Sequence, residues 1–72
     1  MPKLPRGISA AEMVRALMRN GFVRHRQQES HLTLRRLDDD VRVVVPMHPG
    51  DLPVRLVHKI LKQAGLTPDI FS

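Results

Sequence analysis

The chain has no cysteine, no tryptophan and no tyrosine, and phenylalanine occurs only at Phe22 and Phe71. Without cysteine there are no disulfides, thiolate zinc sites, iron–sulfur clusters or cysteine nucleophiles, a usage that fits a reducing, cytoplasmic compartment. Without a row of aromatics the chain lacks the stacking platforms of single-strand binders. Any nucleic acid would be met through backbone and groove contacts in which shape outweighs base identity. No apolar run approaches the ~20 residues of a membrane span, and Met1-Pro2-Lys3-Leu4-Pro5-Arg6 lacks the apolar stretch of a signal peptide. At 72 residues there is room for one small domain, which would bury only about 60% of its unfolded surface.

Acid is scarce as well. Twelve Lys and Arg stand against seven Asp and Glu for a net charge of +5, and three of the acids are the consecutive Asp38, Asp39 and Asp40. The rest of the surface is therefore strongly basic, and a polyanion such as nucleic acid, an acidic protein, or both would suit it.

What is present reads as helix, three strands, helix. Ser9-Ala10-Ala11-Glu12 has the form of a capping box, with Ile8 and Met13 at the spacing of a hydrophobic staple. Met13, Val14, Leu17 and Met18 follow on one helical face, with Arg15 and Arg19 on the solvent side. Asn20-Gly21 ends the helix, with Gly21 suited to a left-handed stop and Phe22 placed to touch Leu17. Phe22 to Gln27 is a short basic strand, and Gln28-Glu29 a turn. Ser30 to Arg36 alternates cleanly, with Leu32 and Leu34 on one face and His31, Thr33 and Arg35 on the other. Leu37-Asp38-Asp39-Asp40 makes the next turn. Val41 to Val45, β-branched except at Arg42, reads as the central strand of a small sheet, closed by Pro46. After the loop Met47 to Asp51, Pro53 suits the first turn of a second helix with inner stripe Val57, Ile60, Leu61 and Ala64, stopped by Gly65-Leu66. The organisation expected is a basic leader over 1–7, a folded domain over 8–67 and a short tail over 68–72. An α+β domain with a three-stranded antiparallel sheet and both helices on one face would bury both stripes, which is the double-stranded RNA-binding-domain architecture.

Four histidines could carry chemistry. His25, His31, His48 and His58 have no metal-ligand spacing and no cysteine to help them, so no metal and no cofactor is expected. The three aspartates read as a solvated hairpin tip, since neighbouring turn residues point in different directions. His31 stands out because it lies opposite the core-facing leucines and shares its face with Thr33 and Arg35. An imidazole there can exchange a proton near neutrality while the guanidinium stabilises charge on phosphate oxygens. RNA carries its own nucleophile in the 2′-hydroxyl, so its cleavage requires neither metal nor protein nucleophile. His48, in a Pro-bounded loop, is a second candidate to assist, or a turn histidine bonded to backbone. His25 and His58 read as surface residues. Glu29 is open between orienting the imidazole, acting as a base, and simple exposure.

Glu29-Ser30-His31, Val43-Val44-Val45-Pro46-Met47-His48, Leu52-Pro53 and Ile60-Leu61-Lys62-Gln63-Ala64-Gly65-Leu66, together with the opening helix running into Asn20-Gly21-Phe22-Val23, resemble the HicA mRNA interferase toxins of HicAB toxin–antitoxin systems. The resemblance spans roughly residues 9–67. It implies the double-stranded RNA-binding-like fold and an endoribonuclease toxin that cuts mRNA, held inactive by a HicB antitoxin covering its catalytic surface. The family's active-site histidine falls on His31, preceded by Ser30, and its Pro-x-His loop on Pro46-Met47-His48. Where the family has glycine before Ser-His this chain has Glu29, which brings a negative charge near the scissile phosphate and, through its Cβ, resists any turn needing positive φ. Leu32 and Leu34 stand where the family often has a second histidine or an aromatic.

The expectation is thus a metal-independent endoribonuclease with His31 catalytic, Ser30 and His48 assisting, and Arg24, Arg26, Arg35, Arg42, Lys59 and Lys62 binding RNA. A non-catalytic RNA-binding module of the same fold is the alternative. A small DNA-binding or ribosome-associated protein draws on charge alone, since extended segments separate the helices and no helix-turn-helix spacing occurs.

Overall fold

The computed structural model describes Leu4 and residues 6–72. Met1, Pro2, Lys3 and Pro5 of the expected leader lie outside the described residues. The elements are α1 (Ala10–Arg19), β1 (Phe22–Gln28), β2 (His31–Arg36), β3 (Arg42–Pro46) and α2 (Val54–Ala64), followed by a 3-10 turn over Pro68–Phe71. This is the α-β-β-β-α order of an α+β fold.

Helix α1 starts because Ser9 is extended, with φ −79° and ψ 162°, and its hydroxyl accepts from the Glu12 amide at 3.1 Å. Only that half of the capping box forms. The Glu12 carboxylate accepts from the Ser9 hydroxyl at 3.4 Å and from Arg6. Ile8 and Met13, the staple pair, are both buried. The inner stripe is Ala10, Met13, Val14, Ala16 and Leu17. Met18, expected on that face, is 45% exposed. It sits about 110° around the helix from the centre of the stripe, which Ala16 pulls away from it. Past Asn20, Gly21 turns the chain with φ 93°.

The sheet is an antiparallel meander in the order β1-β2-β3. The valine-rich β3 is therefore an edge, and β2 is the centre, contrary to the sequence expectation. Consecutive hairpins place the middle strand of the chain in the middle of the sheet, whereas β-propensity reports fit to a pleated surface and not rank within it. Val43 and Val45 are buried, but Val44 between them faces outward and is 45% exposed. Leu32 and Leu34 of β2, Phe22 of β1 and the two β3 valines form the inner face. The stripes of both helices close over it.

Pro53 precedes α2 as its N-cap, with φ −55° and ψ 137°, and the helix proper begins at Val54. Val57, Ile60, Leu61 and Ala64 are buried as the pattern predicts. Gly65 ends the helix in the left-handed region, φ 69°, and the Leu66 amide donates back to the Leu61 carbonyl at 2.9 Å, the long bond of a Schellman stop. Residues 68–72, read from sequence as a tail, turn back so that Phe71 is only 9% exposed and joins the core. Each fully buried aliphatic or aromatic side chain contributes about 1.5–3 kcal/mol of transfer free energy, so Phe71 matters to a domain of this size.

Candidate active site

The β1–β2 hairpin has a two-residue loop, Glu29-Ser30, with Gln28 paired to His31. Two-residue hairpins need positive φ at the first loop position, which is why glycine dominates there. Glu29 adopts φ 57° all the same. A glutamate at this position thus leaves the turn in place, and the strain sits on one residue beside the candidate catalytic histidine.

His31 opens β2 on the outer face of the sheet and is exposed, as the alternation predicts. Its cross-strand partner on β3 is Pro46. The next amide, Met47, donates to the Ser30 carbonyl at 2.5 Å and carries the pairing one residue past the strand. That bond seats the loop beyond β3 against the hairpin. It brings His48 beside His31, ring centroids 6.4 Å apart with the planes at 81°. Ser30 enters this arrangement through its backbone. Its hydroxyl makes no hydrogen bond among the described residues.

His31 lies between two shallow clefts. One, of about 400 Å³, runs toward β1 past Thr33 and Val44 to Arg26, Gln28 and Glu29. The other, of about 370 Å³, runs over the β3 edge to α2 and is lined by Arg42, Val44, Leu56, Lys59 and Gln63 among others. The outward Val44 borders both and gives each a small apolar floor.

The expected RNA-binding cations separate into groups. The register shifts between Arg24 and Arg26, leaving Arg24 opposite the core-facing Leu34 and Arg26 opposite the outward Thr33. The extra residue, His25, thus moves the two arginines to opposite faces, and only Arg26 joins His31. Lys59 reaches the α2 cleft, while Lys62 borders neither cleft. Arg35 and Arg42 are direct cross-strand partners at the far end of β2.

The aspartates are not apart from these arginines. Asp40 accepts from Arg35 at 3.1 Å and lies 3.6 Å from Arg42. Asp39 takes Arg36 in a two-pronged pair at 3.0 and 2.8 Å, and accepts from the Val41 amide at 3.2 Å. The Arg36 hydrogen bond holds the Asp39 carboxyl below its ordinary range, as the Arg35 bond does for Asp40. Arg36 in turn titrates higher than a free arginine because of Asp39. Arg36 also donates to the Ala64 carbonyl at 2.7 Å, at the C-terminus of α2, and its guanidinium lies 4.9 Å over the Phe22 ring. The tip is a clamp between sheet and helix as well as a turn.

No group of three or more His, Asp or Glu able to hold a metal ion occurs among the described residues. No helix among them is long and apolar enough to cross a membrane. Two features escaped the sequence pattern: Gln63, in line with Lys59 at i+4 along the cleft, and the apolar contact surface of Val44. The i, i+4 spacing beside the buried stripe was the available signal for the first. Nothing in the alternation singled out the second.

A small basic α+β domain with paired histidines on an open sheet face is the class of molecule these features define. The sequence model described as HicA toxin of bacterial toxin-antitoxin matches residues 10–66, most of the chain. The chain therefore belongs to the HicA toxin family. A search of curated proteins finds no significant match.

Proposed function

We propose that this protein is the toxin of a toxin–antitoxin pair acting in the cytoplasm as a metal-independent endoribonuclease on mRNA, with His31 as the catalytic proton-transfer group. The observation that carries this reading is the placement of His31 on the exposed sheet face, with His48 at 6.4 Å between ring centroids. Family membership adds the toxin context and implies an antitoxin partner. That partner is a HicB-like protein that covers the His31 face, and the net charge of +5 suits an acidic inhibitor as it suits RNA.

In the reaction, the 2′-hydroxyl oxygen attacks the adjacent phosphorus and the bond from phosphorus to the 5′-oxygen breaks. One histidine takes the proton from the 2′-hydroxyl. The other gives a proton to the departing 5′-oxygen. The products are a 2′,3′-cyclic phosphate and a 5′-hydroxyl. Arg26 and Lys59, in the clefts on either side of His31, hold the strand and offset the charge that builds on the phosphate. Purified protein should cut RNA in the presence of a chelator, and His31→Ala should lose ~10²-fold or more. Undiminished cutting by that variant refutes the assignment.

Glu29 beside His31 and Asp40 on the Arg35–Arg42 pair favour a second reading. Both place negative charge where phosphate would lie, as in a chain that binds RNA weakly and does not cut it. That reading predicts salt-sensitive RNA binding, no cleavage, and no effect of His31→Ala on affinity.

A further inference from the structure

We propose that Arg35 and Arg42 form a second phosphate-binding subsite, which Asp40 occupies in the free protein as an internal counter-ion that RNA must displace. The inference rests on the RNA-binding part of the function proposed above and adds a position and a control to it.

Arg35 and Arg42 face each other directly across β2 and β3 on the outer face of the sheet. Like charges in that position repel, so the pair calls for an anion. Asp40 supplies one, with one carboxylate oxygen 3.1 Å from Arg35 and the other 3.6 Å from Arg42. The match is incomplete. Arg35 donates to Asp40 through one terminal nitrogen, and its Nε, shielded from solvent, has no acceptor. The Asp40 side chain is 59% exposed and that of Arg42 53%, so both contacts are of the weak, screened kind that a phosphate with more acceptor oxygens can replace. Asp40 reaches this position from a left-handed backbone, φ 60°. The turn beneath it is fixed by the Asp39–Arg36 pair, so the carboxylate is presented to the arginines and not merely near them.

Arg35 lies four positions along β2 from His31, about 13 Å at ~3.3 Å per residue. The phosphate held here is therefore not the one under attack. It belongs to a nucleotide further along the same strand, and the subsite fixes where RNA lies relative to His31.

The test measures binding of a 2′-O-methyl RNA oligonucleotide, which has no free 2′-hydroxyl to react, across a salt series. Asp40→Asn is the informative change because asparagine tolerates the left-handed backbone and keeps the turn. It should bind about 3- to 10-fold tighter than wild type. Its affinity should also fall more steeply with salt, by about 0.7 in the log–log slope for one added phosphate contact on a single strand. Asp38→Asn makes the same charge change on a residue with no ion pair among the described residues, and should gain less than about 2-fold. Adding Arg42→Gln to Asp40→Asn should abolish the gain. Equal gains in the Asp38 and Asp40 variants, no gain at Asp40, or no binding by any variant overturns the subsite. Cleavage of an all-ribose strand is scored separately. A subsite without cleavage refutes the nuclease reading alone, and cleavage with no Asp40 effect refutes the subsite alone.

Discussion

Glu29→Gly should make the protein both more stable and more active. The residue has φ 57°, a region that costs an L-residue roughly 1–2 kcal/mol and costs glycine nothing. Against this, glycine loses about 0.5–1 kcal/mol more backbone entropy on folding. The Glu29 side chain makes no hydrogen bond or ion pair among the described residues, so no polar side-chain contact opposes the change. The balance favours glycine by about 0.5–1 kcal/mol, and for a domain of this length each kcal/mol moves Tm by roughly 4–8 °C. Thermal unfolding followed by circular dichroism should then shift upward by about 2–8 °C, and urea unfolding should show a higher midpoint at unchanged slope. Removing a negative charge next to His31 should also raise RNA cleavage at low salt by about two- to fivefold, with the gain fading as salt screens it. Glu29→Asn tolerates the same φ and removes the same charge, so it should follow glycine in both assays. A lower Tm would refute the strain argument. A slower reaction with folding intact would show that the carboxylate orients His31 or takes its proton.

Other changes test separate parts of the account. Phe71→Ala should cost about 2–3 kcal/mol, below the 3–5 typical of a central phenylalanine because the side chain lies at the chain end, with Tm lower by roughly 10–20 °C and RNA binding in the cold unchanged. A loss under 1 kcal/mol would mean that the C-terminal turn does not seal the core. Acid should destabilise the fold through Asp39 and Asp40, whose carboxyls titrate below the ordinary 3.8 because Arg36 and Arg35 hydrogen-bond to them. Their contribution is complete above that unfolded value and is lost as pH falls through the lower folded values, so urea midpoints should decline below about pH 5. Asp39→Asn should flatten that decline, and an unchanged pH dependence would count against the clamp. His48→Ala should remove one limb of a bell-shaped pH–rate profile if the ring moves a proton. A slower rate with both limbs intact would make it a positioning residue.

Most of the fold was legible in the sequence because its signals are local. The Ser9 cap, the two glycine stops, the alternation of β2 and the stripe of α2 each depend on residues a few positions apart, and each appears where the pattern put it. The errors lie where the outcome depends on distant partners. Strand rank within the sheet is set by the two hairpins and not by the valines of β3. Phe71 is buried because the chain turns back after Gly65, which no period announces. At the site, alternation alone put His31 on the outer face, but the bulge at His25 that parts Arg24 from Arg26 has no sequence signature here. The aspartate run reads in sequence as a solvated tip because its partners, Arg35, Arg36 and Arg42, meet it only once the hairpin has closed.

The central claim is that His31 drives attack by the RNA's own 2′-hydroxyl, and one substrate tests it directly: a DNA strand with a single ribonucleotide, incubated with the protein and a chelator. The expected result is a single cut, on the 3′ side of that ribonucleotide, leaving a 2′,3′-cyclic phosphate and a 5′-hydroxyl, with the cut lost in His31→Ala. Cleavage at deoxynucleotides, products ending in a 3′-hydroxyl, or the same cut made equally fast by His31→Ala would contradict it.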